Sequence, residues 1–180
     1  FILSDPVSAF WETCLVVVNI AQLVLANWRN LRARFTEAER AFVTRHLPGL
    51  SKGEARALLD TGEWHTAAPG AVLAMEGHPV AHLSYVAQGR AVVEVGGVIV
   101  SSCQAGDFIG EMTAMTGAPA TATVRADGRC TLWRIEAARL REVLQARSRF
   151  GREMDAAFAR NYRDKILQMN ARSVAAGVTS

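Results

Sequence analysis

The spacing of apolar and polar positions changes three times along the chain and divides it into four parts. From Ala9 to Trp28 the residues are almost continuously apolar, over about the 20 residues that a helix needs to cross a bilayer. Residues 36–60 have the three- and four-residue spacings of amphipathic helices. Short apolar runs broken by glycine and proline then indicate strands. Helical spacing returns at Ala137 and continues to Met169.

The N-terminal apolar segment has the features of a membrane-spanning helix. Trp11 and Trp28 lie near its two ends, where interfacial aromatic residues are common, and Arg29 follows directly. This position of the basic residues predicts a membrane protein whose C-terminal part is cytoplasmic. Polar residues interrupt the run along one helical stripe, which would face another helix rather than lipid: Glu12, Asn19 and Gln22.

Two other interpretations of this segment are a cleaved signal peptide and an amphipathic helix. A cleaved signal peptide is disfavoured, because no basic region precedes the apolar run and no small-residue cleavage site follows it. An amphipathic helix that packs on a partner, or on the rest of the chain, stays open as the alternative.

Helix starts and turns are specific in the middle of the chain. Thr36 is predicted to be an N-cap, with Glu39 as its capping-box partner, and Ser51 is predicted to cap a second helix over Lys52–Asp60. The predicted strands are Glu63–Thr66, Ala71–Ala74, Leu83–Val86, Ala91–Val95, Val98–Val100 and Thr131–Ile135. Strands this short and closely spaced predict a β-barrel or jelly roll. Two helices, Ala137–Ala146 and Phe150–Met169, follow.

The segment from Gly106 to Ala126 carries the most specific chemistry. It consists of a glycine turn, one helical turn that begins with Glu111, a Gly/Pro turn and a Thr- and Val-rich strand. Amides at the start of a helix favour an anion, and a carboxylate beside them is placed to accept a hydrogen bond from a sugar hydroxyl. The simpler interpretations are a solvated carboxylate in a first helical turn and glycines that serve only turn geometry.

This segment resembles the phosphate-binding cassette of cyclic-nucleotide-binding domains. Pro69–Leu73 with Glu76-Gly77 is similar to the opening turn of that family, and Leu83–Glu94 is similar to its central hairpin. The resemblance covers Thr36 to Met169. It implies an α+β fold, a β jelly roll with flanking helices, here preceded by the hydrophobic helix that we expect to be transmembrane.

A shorter resemblance concerns the junction after the apolar helix. Ala26–Asn30 is similar to the membrane-to-domain junction of Popeye-domain proteins, which bind cAMP through an atypical cassette. Together the patterns predict three parts: a hydrophobic helix and basic junction over residues 1–34, a cyclic-nucleotide-binding-like domain over 35–170 and a flexible tail over 171–180.

The family resemblance implies a set of ligand-contacting residues. Glu111 would accept a hydrogen bond from the ribose 2′-hydroxyl, and the amides of Gly110 and Glu111 would help to hold the ribose and phosphate. The whole implied set is Phe108, Ile109, Gly110, Glu111, Met112, Ala120, Thr121 and Ala122.

One position departs from the family pattern. The family places an arginine where this chain has Ala120. Truncating one partner of a buried charge pair costs on the order of 2–5 kcal/mol, or roughly 30- to 3,000-fold in affinity. Arg125 is out of phase with Ala120 on a regular strand, whereas Thr121 is placed to contact the phosphate. Arg160 and Arg163 would reach the ligand only if the last helix folds over the pocket.

Composition and the remaining residues exclude several functions. No Ser/His/Asp arrangement, cysteine nucleophile or metal-ligand spacing is present, so we expect neither an enzyme nor a metal site. The net charge of +3 is mild, and no helix-turn-helix pattern follows the cassette, so nucleic acid is not an expected partner.

The sequence therefore predicts a membrane-linked signalling protein that requires no cofactor and senses cAMP as its regulatory ligand. cGMP stays open, because Thr121, which follows Ala120, resembles the guanine-favouring residue of cGMP-binding relatives. A homodimer through the helices is a further expectation. The alternative is a degenerate domain of the same fold that binds no nucleotide and acts as a protein-interaction module.

Overall fold

The structure is a computed structural model that describes residues 6–145 and 149–175. Six helices and eight strands follow one another in these ranges. The helices are α1 Pro6–Arg32, α2 Glu37–His46, α3 Lys52–Leu59, α4 Glu111–Thr116, α5 Ala137–Gln145 and α6 Arg149–Ala175. The strands are β1 Glu63–Ala67, β2 Val72–Ala74, β3 His82–Gln88, β4 Arg90–Val95, β5 Val98–Gln104, β6 Phe108–Ile109, β7 Thr123–Ala126 and β8 Cys130–Glu136.

Both predicted N-caps, Thr36 and Ser51, are confirmed, and each forms a capping box. The Thr36 hydroxyl accepts a hydrogen bond from the Glu39 amide, and the Glu39 carboxylate accepts one from the Thr36 amide. Ser51 and Glu54 form the same reciprocal pair at the start of α3. Each box satisfies amides that the first helical turn leaves without intrahelical partners.

The eight strands form two antiparallel sheets of four. The first sheet has the order β1-β8-β3-β6, and the second has the order β2-β7-β4-β5. β4 and β5 form a hairpin whose turn residues, Gly96 and Gly97, both have positive φ, which a type I′ two-residue turn requires. This confirms the jelly roll with flanking helices that the family resemblance implied.

The first sheet separates two apolar cores. Leu83, Tyr85 and Trp133 point from one face of this sheet toward the helices, where they pack with Phe42 of α2. Residues one position along each strand point to the other face and form a second core against the second sheet: Val86, Cys130 and Leu132. The strand period of two thus explains why both faces are buried.

The last helix closes one side of the domain. α6 contacts α2 and α5, and its buried residues recur at three- and four-residue spacings: Met154, Ala157, Phe158 and Asn161. α6 continues to Ala175, beyond residue 170 where the sequence predicts a flexible tail, because no glycine or proline occurs before Gly177. The rest of that tail lies outside the described residues.

The N-terminal helix differs from the prediction. α1 forms, but the expectation of a membrane-spanning segment is not supported. Within the part of the chain that the structure describes, no helix is both long enough and apolar enough to cross a membrane. The polar residues Glu12, Asn19 and Gln22 interrupt the apolar sequence of α1. The side chains of residues 26–32, where the basic and Popeye-like junction was predicted, lie outside the described ones.

Candidate functional site

The predicted cassette is a short helix held between two glycines. β6 ends at Ile109, and Gly110 then adopts a left-handed conformation, with φ of 80°, as the N-cap of α4. α4 ends at Gly117, which is also left-handed, with φ of 74°. The chain then leads through Ala120 into β7.

Gly110 is required by both its backbone and its neighbour. A residue with a side chain is strained at this φ. A Cβ atom there would also lie 2.9 Å from Cγ1 of Val80, closer than carbon atoms approach without movement. Glycine therefore allows the start of α4 to lie directly against the loop before β3.

The other end of α4 is held by a cation. Nη1 of Arg141, on α5, donates a hydrogen bond of 2.8 Å to the carbonyl of Ala114. A basic side chain near the C-terminus of a helix satisfies a carbonyl and interacts favourably with the helix dipole. The cassette is thus linked to the C-terminal helices.

A cavity of about 180 Å³ lies between the cassette and the second sheet. All eight residues that the family resemblance implies as ligand contacts line it, so the fold brings Phe108–Met112 and Ala120–Ala122 together. Six further residues complete the wall: Ala74, Val80, Val93, Cys103, Thr113 and Val124. The cavity is therefore lined largely by apolar side chains, and the carboxylate of Glu111 is part of its wall.

Glu111 is buried and in contact with the last helix. Its residue is 7% exposed, and its Oε1 accepts a hydrogen bond of 3.2 Å from Nδ2 of Asn161. Asn161 itself is 3% exposed. A buried carboxylate needs hydrogen-bond donors, so this contact stabilises the position of α6 over the cassette.

A second contact ties the same helix to the cassette entrance. The ring of Phe108 packs edge-on against Phe158 of α6, with centroids 5.2 Å apart. Phe108 also contacts Tyr85, whose pKa is raised because burial disfavours its ionised form. Phe158 and Asn161 lie one helical turn apart, so one face of α6 contacts both Phe108 and Glu111.

The position of the missing arginine is well defined. The Ala120 amide donates to the carbonyl of His78, and the Ala120 carbonyl accepts from the amide of Gly77. Ala120 therefore holds the end of the cassette against the β2–β3 loop while its methyl group lines the cavity.

The described residues that line the cavity include no arginine or lysine. Arg125 forms an ion pair with Glu94, with a distance of 3.4 Å between Nε and Oε2, and lies outside the cavity wall. Arg160 donates to the carbonyl of His46, at 2.8 Å. Neither it nor Arg163 lines the cavity, whereas Thr121 is exposed at its rim.

Sequence reasoning missed Asn161 and the strand residues of the wall. Asn161 follows Met154 and Phe158 at helical spacing, so a polar residue in an apolar stripe was the available signal. Val93 and Cys103 alternate with outward residues on β4 and β5, but alternation alone does not show that a cavity lies above them. No group of three or more metal-binding side chains occurs in the described part of the chain.

The comparisons with known proteins agree with this geometry. Residues 64–147 match the family model of the cyclic nucleotide-binding domain. A cyclic nucleotide-binding domain from Methylobacillus flagellatus superposes with a TM-score of 0.67 at 18% identity, covering 79% of this chain and 88% of that one. No curated protein matches the chain.

Two further solved structures share the fold with different ligands in their descriptions. PfPKA-R bound to cAMP has a TM-score of 0.57 at 16% identity, covering 87% of this chain and 50% of that one. The c-di-GMP responsive regulator CLP of Xanthomonas campestris has a TM-score of 0.60 at 17% identity, covering 71% and 65%. Residues 64–147, which include the cassette, thus match the cyclic nucleotide-binding domain family, and the fold alone does not fix the ligand.

Proposed function

We propose that this domain is a regulatory, non-catalytic sensor that binds cAMP in the cavity beside the cassette. The observation that carries the proposal is that the buried Glu111 and the seven other residues of the expected contact set line one cavity. In this arrangement Glu111 accepts a hydrogen bond from the ribose 2′-hydroxyl. The apolar residues Val93 and Val124 offer a surface for the base.

The phosphate site is non-standard because Ala120 supplies no cation. The phosphate is held by the amides at the start of α4 and by Thr121 at the rim, which are weaker partners than a bidentate guanidinium. We therefore expect weak binding. PfPKA-R, which shares the fold, is described with cAMP bound, so cAMP is the first nucleotide to test and cGMP is the nucleotide to compare.

Binding is coupled to the last helix through Glu111. The ribose hydroxyl competes with Asn161 for the same carboxylate, so occupancy weakens the contact that holds α6 over the cassette. The cavity volume supports this movement, since about 180 Å³ is below the roughly 300–1,000 Å³ of most small-molecule sites. We expect the site to widen when it fills, and displacement of α6 through the Glu111–Asn161 contact is the proposed output signal.

Calorimetric titration of the chain with cAMP and with cGMP tests the proposal. We expect weak saturable binding of cAMP, and amide exchange in α6 that increases with occupancy. Absence of heat from either nucleotide at millimolar concentration would contradict the sensor function.

The second candidate function is a protein-interaction module of the same fold. Ala120 favours it, because loss of the arginine is what a domain that has stopped binding nucleotides would show. A null titration together with an intact thermal transition would support this candidate.

We also propose that α1 attaches the domain to the cytoplasmic face of a membrane. The apolar side chains of α1 are exposed: Phe10 and Leu15 are each 62% exposed, and Leu23 is 70% exposed. Exposed apolar surface of this extent marks an interaction site. We expect co-flotation with anionic vesicles that resists salt and is abolished by Leu15→Glu with Leu23→Glu.

Val98→Glu is the matched control for this membrane test, because Val98 is a similarly exposed residue on the β4–β5 hairpin. It should leave flotation unchanged. Release by salt alone would contradict membrane attachment.

A further inference from the structure

The face of the first sheet that meets the second sheet is apolar at one end and polar at the other. The apolar positions on neighbouring strands are Ala67, Val86 and Leu132. Two residues along each strand, the same face carries His65, Ser84 and Arg134, and Ser84 lies directly opposite Arg134 in the ladder. Polar residues that point between two sheets need either partners or a ligand.

These polar residues line a second cavity, of about 290 Å³. Ser84 is 3% exposed, and His65, His82 and Arg134 are half-buried. Leu73 and Val80 form an apolar part of the same wall. The cavity thus combines a polar floor with an apolar side.

Arg134 lines this cavity and has one side-chain donor that is not used by the described residues. Its Nη2 donates to Oε1 of Glu63 at 2.6 Å, and this hydrogen bond lowers the pKa of Glu63. Its Nε is buried and has no acceptor among the described residues. A buried N–H without an acceptor is unfavourable, and the Nε edge of a guanidinium matches a carboxylate.

We propose that this second cavity binds a small organic monoanion, a carboxylate with a short hydrocarbon chain. Arg134 and Ser84 hold the carboxylate, with His65 beside it, and the chain packs against Leu73 and Val80. Glu63 already offsets part of the Arg134 charge, so a single negative charge suits the site better than a phosphate dianion. The apolar wall likewise favours an organic ligand over an inorganic anion.

The site is separate from the cassette. Ala74 and Val80 line both cavities, but Glu111 and the other cassette residues lie outside the second one. Binding there does not depend on the proposed nucleotide function.

Titration of the chain with straight-chain monocarboxylates from acetate to hexanoate, followed by calorimetry, tests the proposal. Affinity should rise about fourfold per added methylene, which is the roughly 0.8 kcal/mol of a buried CH₂ converted at about 1.4 kcal/mol per tenfold. The rise should stop when the chain fills the cavity.

Substitution of Arg134 locates the site. Arg134→Gln should weaken hexanoate binding at least tenfold, and Arg134→Lys, which keeps the charge but loses the planar fork, should weaken it less. Arg90→Gln is the matched control, because Arg90 also forms an ion pair, with Asp127, but lies outside the cavity. No saturable binding of hexanoate at millimolar concentration, or equal weakening by Arg90→Gln, would overturn the proposal.

Discussion

Two carboxylates are buried in this domain to nearly the same extent but are held by different kinds of partners. Glu39 is 5% exposed and Glu111 is 7% exposed. Glu39 accepts hydrogen bonds from the Thr36 amide of its own helix start and from Arg56 of the next helix, each at 2.8 Å. Glu111 is contacted from α6, where Asn161 lies fifty residues further along the chain.

This difference in partners indicates which buried carboxylate has a structural role and which can exchange its partner for a ligand. The partners of Glu39 lie at the start of its own helix, α2, and on the next helix, α3. Release of Glu39 would therefore disrupt both the capping box of α2 and the ion pair with α3. Asn161 is a neutral donor on the terminal helix. A ribose hydroxyl replaces such a donor at modest cost, which fits a carboxylate that serves a ligand.

The largest expected effect is on stability at Glu39. Glu39→Ala removes a cap worth about 1 kcal/mol and leaves Arg56 without its buried partner, so the free energy of unfolding should fall by about 2 kcal/mol. Tm should drop by about 4–8 °C in thermal denaturation, while cAMP affinity is unchanged. Glu37→Ala, an exposed carboxylate in the same turn, is the control and should shift Tm little. Equal Tm values for the Glu39 variant and the parent would remove its structural role.

The second-largest effect is expected on cAMP affinity at Ala120. Ala120→Arg should raise cAMP affinity at least tenfold in calorimetry, because the new guanidinium would pair with the phosphate. Ala118→Arg places the same charge at an exposed position of the same loop and should gain much less. A gain that is equal in both variants would indicate general electrostatic attraction and contradict a defined phosphate position.

A smaller effect is expected at the exchangeable contact itself. Asn161→Leu removes the amide that competes for Glu111, and a hydrogen bond of about 0.5–1.5 kcal/mol corresponds to roughly two- to tenfold tighter cAMP binding. Gln145→Leu, an exposed amide on α5, is the control. Weaker binding by the Asn161 variant would show that Asn161 holds the ligand instead of competing with it.

The smallest effect is the acid limb of the stability profile. Burial acts to raise the pKa of Glu39, but hydrogen bonds from Thr36 and Arg56 outweigh it, so the pKa lies below its ordinary value of 4.5. Its stabilisation is therefore present above pH 4.5 and is lost as the pH falls through the lowered pKa. Urea unfolding of Glu39→Gln should show a flatter decline than the parent across this range. Parallel declines would contradict the assignment.

The elements that the sequence predicted best depend on neighbours in the chain. The capping boxes at Thr36 and Ser51 follow from a three-residue spacing, and the Gly96-Gly97 hairpin follows from turn chemistry. The cassette residues are also consecutive or nearly so, so a short motif was enough to name the eight residues that the structure brings together around one cavity.

The features that sequence could not predict depend on contacts between distant segments. The bond from Asn161 to Glu111 and the polar cavity at Arg134 both require the sheet order and the docking of α6. The membrane-spanning expectation for α1 rested on composition, and composition does not tell a spanning helix from one that packs on another apolar surface.

The role of Glu111 in binding cAMP is tested by cAMP titration and thermal denaturation of Glu111→Ala. We expect cAMP affinity to fall more than tenfold, while Tm falls by less than in Glu39→Ala, because Glu111 loses the neutral partner Asn161 rather than a charged one. Glu142→Ala, an exposed carboxylate that pairs with Arg139, should change neither. Unchanged cAMP affinity in the Glu111 variant would remove this carboxylate from the site and contradict the central claim.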